Sequence, residues 1–252
     1  MNNRGKGREK KKGKSMKRHY MLIGICLLLP ALVIYLLFMA YPLCRTFVLS
    51  FTNWTGFGEA KSVGFQNFTN IFQDHTFWMA LKNTIYFAVF SAIFSVLLGL
   101  VLAWLNLYMR RMEGQIFRTI LFSPSMIAPT ITGLLFLFVF TEDVGLLNSL
   151  LKAVGLSNLT TAWLSNMATV KPVIVIATVW RQFGLTMVLC YAGLQGVSNE
   201  LIESARLDGA RELQIFRRIL VPLIKPQIEL ATMFTMLGGL RIYDSVVSLT
   251  AG

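Results

Sequence analysis

Charge is scarce in this 252-residue sequence: Asp, Glu, Lys and Arg make up 14%, against roughly 25% in soluble proteins, too little to cover a water-facing surface. Histidine is almost missing too. The two present, His19 and His75, stand alone without ligand spacing, and Cys26, Cys44 and Cys190 lie in or beside apolar runs with no paired spacing. Neither a zinc site nor a disulfide framework is indicated. No Gly-rich phosphate loop is found. Against these shortages stands an apolar excess of 55%, or about 60% once tyrosine is dropped and glycine added, where soluble domains hold roughly 45–50%. Disorder, collagen and coiled coil are excluded by the same figures. An integral membrane protein remains.

The runs without charge place the helices. His19 to Cys44, Asn83 to Met109 and Thr119 to Thr141 each exceed the ~20 residues that cross ~30 Å of hydrocarbon. Two further apolar segments carry charge inside: Val170 to Leu194 holds Arg181, and Gln227 to Thr250 holds Glu229, Arg241 and Asp244. Five spans are therefore expected, at about 20–44, 83–109, 117–141, 170–194 and 227–250, forming an all-α polytopic bundle. The first is not a cleaved signal, because its apolar stretch is too long and it ends Tyr41-Pro42-Leu43-Cys44 rather than in small residues.

The formal net charge of +12 sits mostly in a tail. Residues 1–18 carry nine Lys or Arg against Glu9, leaving only +4 for the rest, so the basic balance marks a terminal arm (residues 1–19) and not a nucleic-acid-binding face. Such an arm before a hydrophobic helix stays cytoplasmic on anionic headgroups. Basic loops then alternate with poor ones: Arg110, Arg111 and Arg118 fill the second, Arg206, Arg211, Arg217, Arg218 and Lys225 the fourth, while the first and third are balanced or acidic. The N-terminus and loops two and four are thus expected in the cytoplasm.

Loop four, residues 195–225, is too long for a plain connector. Ser198 and Asn199 suit a helix start with Glu200 in the first turn, and Leu201, Ile202 and Ala205 give an apolar side. Asp208-Gly209 breaks it. A second helix follows, with Leu213, Phe216, Ile219 and Leu220 at helical spacing, ending near Pro222 and Pro226. Two amphipathic helices hinged at a glycine can present a knob to a soluble partner.

The stretch Glu203-Ser204-Ala205-Arg206-Leu207-Asp208-Gly209, followed after nine residues by Ile219-Leu220-Val221-Pro222, resembles the E-A-A, x3, G, x9, I-x-L-P signature of bacterial ABC importer permeases. Ser204 replaces the middle alanine and Val221 a leucine. Further stretches resemble the carbohydrate-uptake branch of the maltose and glycerol-phosphate type, among them Ser50-Phe51-Thr52-Asn53-Trp54, Val63-Gly64-Phe65-Gln66-Asn67-Phe68, Gly145-Leu146-Leu147-Asn148 and Ala192-Gly193-Leu194-Gln195. The resemblance covers nearly everything after Tyr20. It implies a type I importer permease in a bacterial cell membrane that forms half of a pore with a second permease. Solute, carbohydrate in type, would come from an external or periplasmic binding protein, and ATPase subunits would provide the drive. It also implies that loop four is a coupling element, with Glu203 facing basic residues of the ATPase, Gly209 making the bend, and Ser204, Ala205, Asp208, Ile219 and Pro222 completing the signature. No catalytic, cofactor-binding or metal-binding residue is expected.

Arg181 and Arg241 are costly inside a span, so each either pairs structurally or lines a water-filled path. Asp244, three residues after Arg241, would share its helical face. Tyr243-Asp244 resembles the F-D pair bordering the family's translocation path. The family usually continues into a sixth helix, which Leu249-Thr250-Ala251-Gly252 stops short of, and a truncated chain is expected. A membrane enzyme with a loop-four active site would need convergent His, Asp or Cys, which that loop lacks. A secondary transporter would need unpaired acids in its spans, and the first three hold none. A permease for a non-carbohydrate solute stays open.

Overall fold

The computed structural model describes Met21 and residues 23–250, so the basic arm expected at residues 1–19 lies outside the described residues. Helices account for nearly all of the described chain. It divides into two compact units, Met1–Trp78 and Met79–Gly252.

In the first unit, helix α1 (Ile23–Leu49) is long and apolar enough to cross a membrane. It contains one wide π turn at Leu36–Ala40, just before Pro42, whose nitrogen has no hydrogen to donate to the helical ladder. Beyond it, two of the stretches that carry the family resemblance are paired by an antiparallel bridge between Thr52 and Ser62. Asn53 N–H donates to the Lys61 carbonyl (3.0 Å) and Val63 N–H to the Phe51 carbonyl (2.9 Å). Asn67, in α2 (Gln66–Gln73), donates to the carbonyls of Ser50 (2.9 Å) and Thr52 (2.8 Å), and Phe51 packs on Phe65 and Phe68. Asn67 and the phenylalanines are thus the clamp of this small fold.

Helix α3 (His75–Asn106) continues into the second unit, where it buries Ala88, Ser91, Ala92, Ser95, Gly99 and Ala103 along one side. Small side chains at three- and four-residue spacing let backbones approach closely, which is how helices associate without a hydrophobic driving force. A Cβ on Gly99 would lie 2.7 Å from the Thr186 Cβ and 2.8 Å from the Met187 nitrogen of α7 (Val170–Leu194).

The span expected near 117–141 is broken by a sharp bend. Helix α4 (Arg111–Phe122) passes through a 3-10 turn (Ser123–Met126), and α5 (Pro129–Phe140) leaves at 99°. Pro124 and Pro129 explain the break: each lacks an N–H, and Ala128 before Pro129 is driven to extended geometry at ψ 143°. The fifth segment is divided as well, into α10 (Lys225–Leu240) and α11 (Tyr243–Thr250), so 227–250 is not a single helix. Three helices are long and apolar enough to cross a membrane, or five if two bent pairs, Arg111–Met126 with Pro129–Phe140 (99°) and Glu212–Leu223 with Lys225–Leu240 (75°), each count as one span. Between α5 and α7 the chain forms α6 (Leu146–Ala153) and a loop held by Asn148, whose amide donates to the carbonyls of Glu142 (2.9 Å) and Thr161 (3.0 Å) and whose oxygen accepts from Trp163 Nε1 (2.8 Å).

Two apolar cores occupy opposite ends of this unit. One joins Phe87 of α3, Phe140 of α5, Val173 and Ala177 of α7, Ile242 and Leu249. The other joins Leu100 and Ala103 of α3, Met187, Cys190 and Leu194 of α7, and Ile215, Phe216, Leu220 and Ile224 of the fourth loop. The second core seats the functional loop.

Candidate coupling segment and polar interior

The fourth loop folds as α8 (Asn199–Leu207) and α9 (Glu212–Leu223), joined by a turn at Asp208–Arg211. Ser198 holds the extended backbone of an N-cap (φ −65°, ψ 137°), but its side chain makes no capping bond. At the other end Gly209 N–H donates to the Arg206 carbonyl and Ala210 N–H to the Ala205 carbonyl, both at 3.0 Å, with Gly209 at φ +81°. This is a Schellman termination, which needs a residue in the left-handed region, the role glycine fills most readily. Two positions of the recognised signature therefore have a local reason. Gly209 makes the turn, and Ala205 is the small residue whose carbonyl closes it while its side chain packs toward the second core.

What remains of α8 points outward. Glu200, Glu203, Ser204 and Asp208 are exposed, and Leu207 is 90% exposed. Glu203 has no ion-pair partner among the described residues and lines a cavity of about 290 Å³ with Asn199, Ile202, Tyr108 and Arg206. The result is an acidic and hydroxyl-bearing surface around Leu207, with Leu201 also exposed on the same helix. Leu207 escaped sequence reasoning, because its apolar character alone suggests burial.

In α9 a π turn at Phe216–Leu220 precedes Pro222 and accommodates its missing N–H. Ile219 is half-buried against the second core and Pro222 is exposed. Phe216 stacks on Trp104 of α3 at 4.6 Å between ring centroids. A polar chain lies beside that stack: Trp104 Nε1 donates to the Tyr108 hydroxyl (3.1 Å), Tyr108 donates to one Glu212 oxygen, and Arg206 Nε donates to the other (2.7 Å). No spacing in the sequence links Tyr108 to Glu212, which lies 104 residues further on.

Arg206 and, secondarily, Tyr108 hold the Glu212 carboxyl below its ordinary value, while partial burial and then Glu212 raise the Tyr108 hydroxyl above its own. A lowered carboxylate contributes stability that is complete above the unfolded value near ~4.3 and is lost as pH falls through the folded value. We therefore expect loop-four amides between Asn199 and Ile215 to keep their hydrogen-exchange protection from neutral pH down to about 5 and lose it only below about 4. In Glu212→Gln that acid step should vanish and protection at neutral pH should fall by a few-fold, a small effect because the pair is exposed. An unchanged acid step in the variant would assign it to another carboxylate.

The four pathway candidates lie on α7 and around the break between α10 and α11. Arg181 in α7 is half-buried, and its Nε has no hydrogen-bond partner among the described residues. Beside it Gln182, 7% exposed, leaves both amide atoms unpartnered and touches the backbone side of Gly238. The hydroxyls of Ser91, Ser95 and Thr186 are buried and unpartnered in the same way. Arg241 and Asp244, expected on one helical face, are separated by the break between α10 and α11, and no ion pair joins them among the described residues. Both are exposed, as is Tyr243. Gln182 and the three hydroxyls were not singled out from sequence because Ser, Thr and Gln leave an apolar run intact.

Residues 95–252 match the family described as binding-protein-dependent transport system inner membrane component. The chain is 36% identical over 233 residues to a probable ABC transporter permease protein, YurN, of Bacillus subtilis (strain 168), covering 92% of this chain and 80% of that protein. To the lactose transport system permease protein LacF of Rhizobium radiobacter it is 33% identical over 240 residues, covering 94% and 79%. Its fold is also that of a chain from the crystal structure of a bacterial ABC transporter involved in the import of the acidic polysaccharide alginate, with a TM-score of 0.78, 24% identity, and 95% and 80% of the two chains covered.

Proposed function

The chain belongs to the family of binding-protein-dependent transport system inner membrane components, and from that premise we propose that it is one of two permeases in an ATP-driven importer of a sugar-type solute. A second permease completes the pathway. An external binding protein delivers the solute, and a cytoplasmic ATPase receives α8. The observation that carries this reading is the outward face of Glu203, Ser204 and Leu207 on a helix whose other side is packed into the second core. A partner with a basic rim and an apolar cleft would complement that face. The lactose system permease among the relatives supports a sugar as solute. The unpartnered polar atoms of Arg181, Gln182, Ser91, Ser95 and Thr186 support a wet layer between the helices, since buried polar groups left unpaired in hydrocarbon are costly.

Uptake of labelled mono-, di- and oligosaccharides by cells lacking this gene, with and without a plasmid copy, tests the function. Restored uptake of at least one sugar that also needs the ATPase is expected. Restoration only of a non-carbohydrate solute would overturn the sugar assignment, and uptake without the ATPase would overturn the importer reading.

Orientation follows from the alternating Lys and Arg of the loops, which puts loops two and four in the cytoplasm. In a chain with its native cysteines replaced, an impermeant thiol reagent added to intact cells should label Lys61→Cys and spare Arg111→Cys. The opposite pattern would invert the topology.

A further inference from the structure

At the base of the second loop, the turn between α3 and α4 and the end of α7 enclose a cavity of about 320 Å³. Its lining is basic and polar: Arg110, Arg111 and Arg118, with Gln115 of α4 and Gln195 just after α7. Arg118 is fixed in place. One terminal nitrogen donates to the Asn106 oxygen (2.6 Å), its guanidinium carbon lies 4.3 Å above the Tyr191 ring, and the Asn106 amide in turn donates to the Gly114 carbonyl (3.0 Å). Arg110 and Arg111 are exposed at the mouth. None of the three arginines has a carboxylate within ion-pair distance among the described residues, and the cavity lining holds no acid. One fixed and two exposed positive charges around an acid-free cavity repel one another and favour an anion between them.

Helix α4 also shows where the anion comes from. Arg111, Gln115 and Arg118 share one side, while Met112, Ile116 and Ile120, at 75%, 56% and 62% exposure, form an apolar stripe on another. A helix with a basic side and a bare apolar stripe lies in a bilayer interface, its stripe among acyl chains and its basic side at headgroup level. The cavity is then at the depth of phospholipid phosphates.

We propose that this cavity binds the phosphate of an anionic phospholipid, with Arg118 as the preset ligand and Arg110 and Arg111 closing over the headgroup. Guanidinium groups suit this because their forked donors match phosphate oxygens. The site holds in either orientation of the chain, since both membrane surfaces carry phospholipid phosphates, so it stands apart from the coupling reading of loop four.

The test uses the full chain purified in detergent, given phosphatidylglycerol or phosphatidylcholine, with retained lipid counted by native mass spectrometry. One phosphatidylglycerol should be retained well above phosphatidylcholine. The double variant Arg110→Ala/Arg111→Ala should lose about 25-fold in phosphatidylglycerol affinity, at about fivefold per arginine, with thermal unfolding unchanged because both side chains are exposed. Excess inorganic phosphate should leave the bound lipid in place. Equal retention of the two lipids, or full retention by the double variant, would overturn the proposal. Displacement by inorganic phosphate would assign the cavity to a free anion. Loss of the co-expressed ATPase from the double variant with lipid retention intact would make the patch a protein-docking surface.

Discussion

Glu203→Lys is expected to abolish solute uptake and to release the ATPase when the complex is purified. The side chain is exposed, carries no internal ion pair among the described residues, and projects from the face that Leu207 caps. Reversing its charge leaves α8 folded but sets a cation against the basic rim it would meet, and like charges at an interface cost several kcal/mol. Uncoupling should be at least 100-fold, read as solute-stimulated ATP hydrolysis in a reconstituted complex, with unaltered amounts of inserted permease. Gly209→Val reaches the same end differently, by forcing a β-branched residue to φ +81° and undoing the turn that closes α8. Gly209→Asn should retain part of the activity, because asparagine tolerates the left-handed region. Retention of both ATPase and coupling by Glu203→Lys would reduce Glu203 to a solvated charge, and equal loss in Gly209→Asn and Gly209→Val would show that size and not backbone conformation matters at the bend.

The second large effect is expected at Gly184, inside α7. A Cβ there would collide with the carbonyl oxygen of Leu121 and lie 2.9 Å from the Leu121 carbonyl carbon and the Phe122 Cα. These are backbone atoms at the end of α4, so no rotamer change relieves the clash, and α7 must separate from the broken helix. Gly184→Ala should cost on the order of 3 kcal/mol or more, at the upper end for overpacking, and should lower the unfolding temperature in detergent by several degrees. Gly24→Ala in α1, where an added Cβ meets nothing within 4 Å, should be neutral or slightly stabilising. Equal unfolding temperatures for the two variants would mean that α4 and α7 are not held at this separation.

Hydrocarbon thickness and the cost of charge leave few choices for where an apolar helix can lie. The run Val170 to Leu194 and helix α7 share their ends. Loop four was legible for a different reason: Asp208-Gly209 is a local turn signal, and the conformation of Gly209 depends only on its neighbours. The break at Pro124 and Pro129 was hidden, since an uncharged run gives no clue to direction and prolines are tolerated in membrane helices when neighbours satisfy the freed groups. The division at Arg241 and Ile242 was hidden likewise. The chain from Trp104 through Tyr108 and Glu212 to Arg206 was beyond reach because it depends on tertiary placement. Sequence reasoning counted Arg206 only as a marker of sidedness, and its bond to Glu212 gives it a positional task as well.

Between the two apolar cores, α3 and α7 meet where Gly99 faces Thr186 and Met187, and the buried hydroxyls of Ser91 and Ser95 on α3 and of Thr186 on α7 form no hydrogen bond among the described residues. Their mutual register is therefore set by greasy contacts at either end and by nothing latched in the middle. Small side chains raise only low ridges, so a slip of one helix past the other would break no hydrogen bond across this stretch and meet little steric friction. A helix pair joined this way can shear along its length while the apolar contacts at its two ends persist.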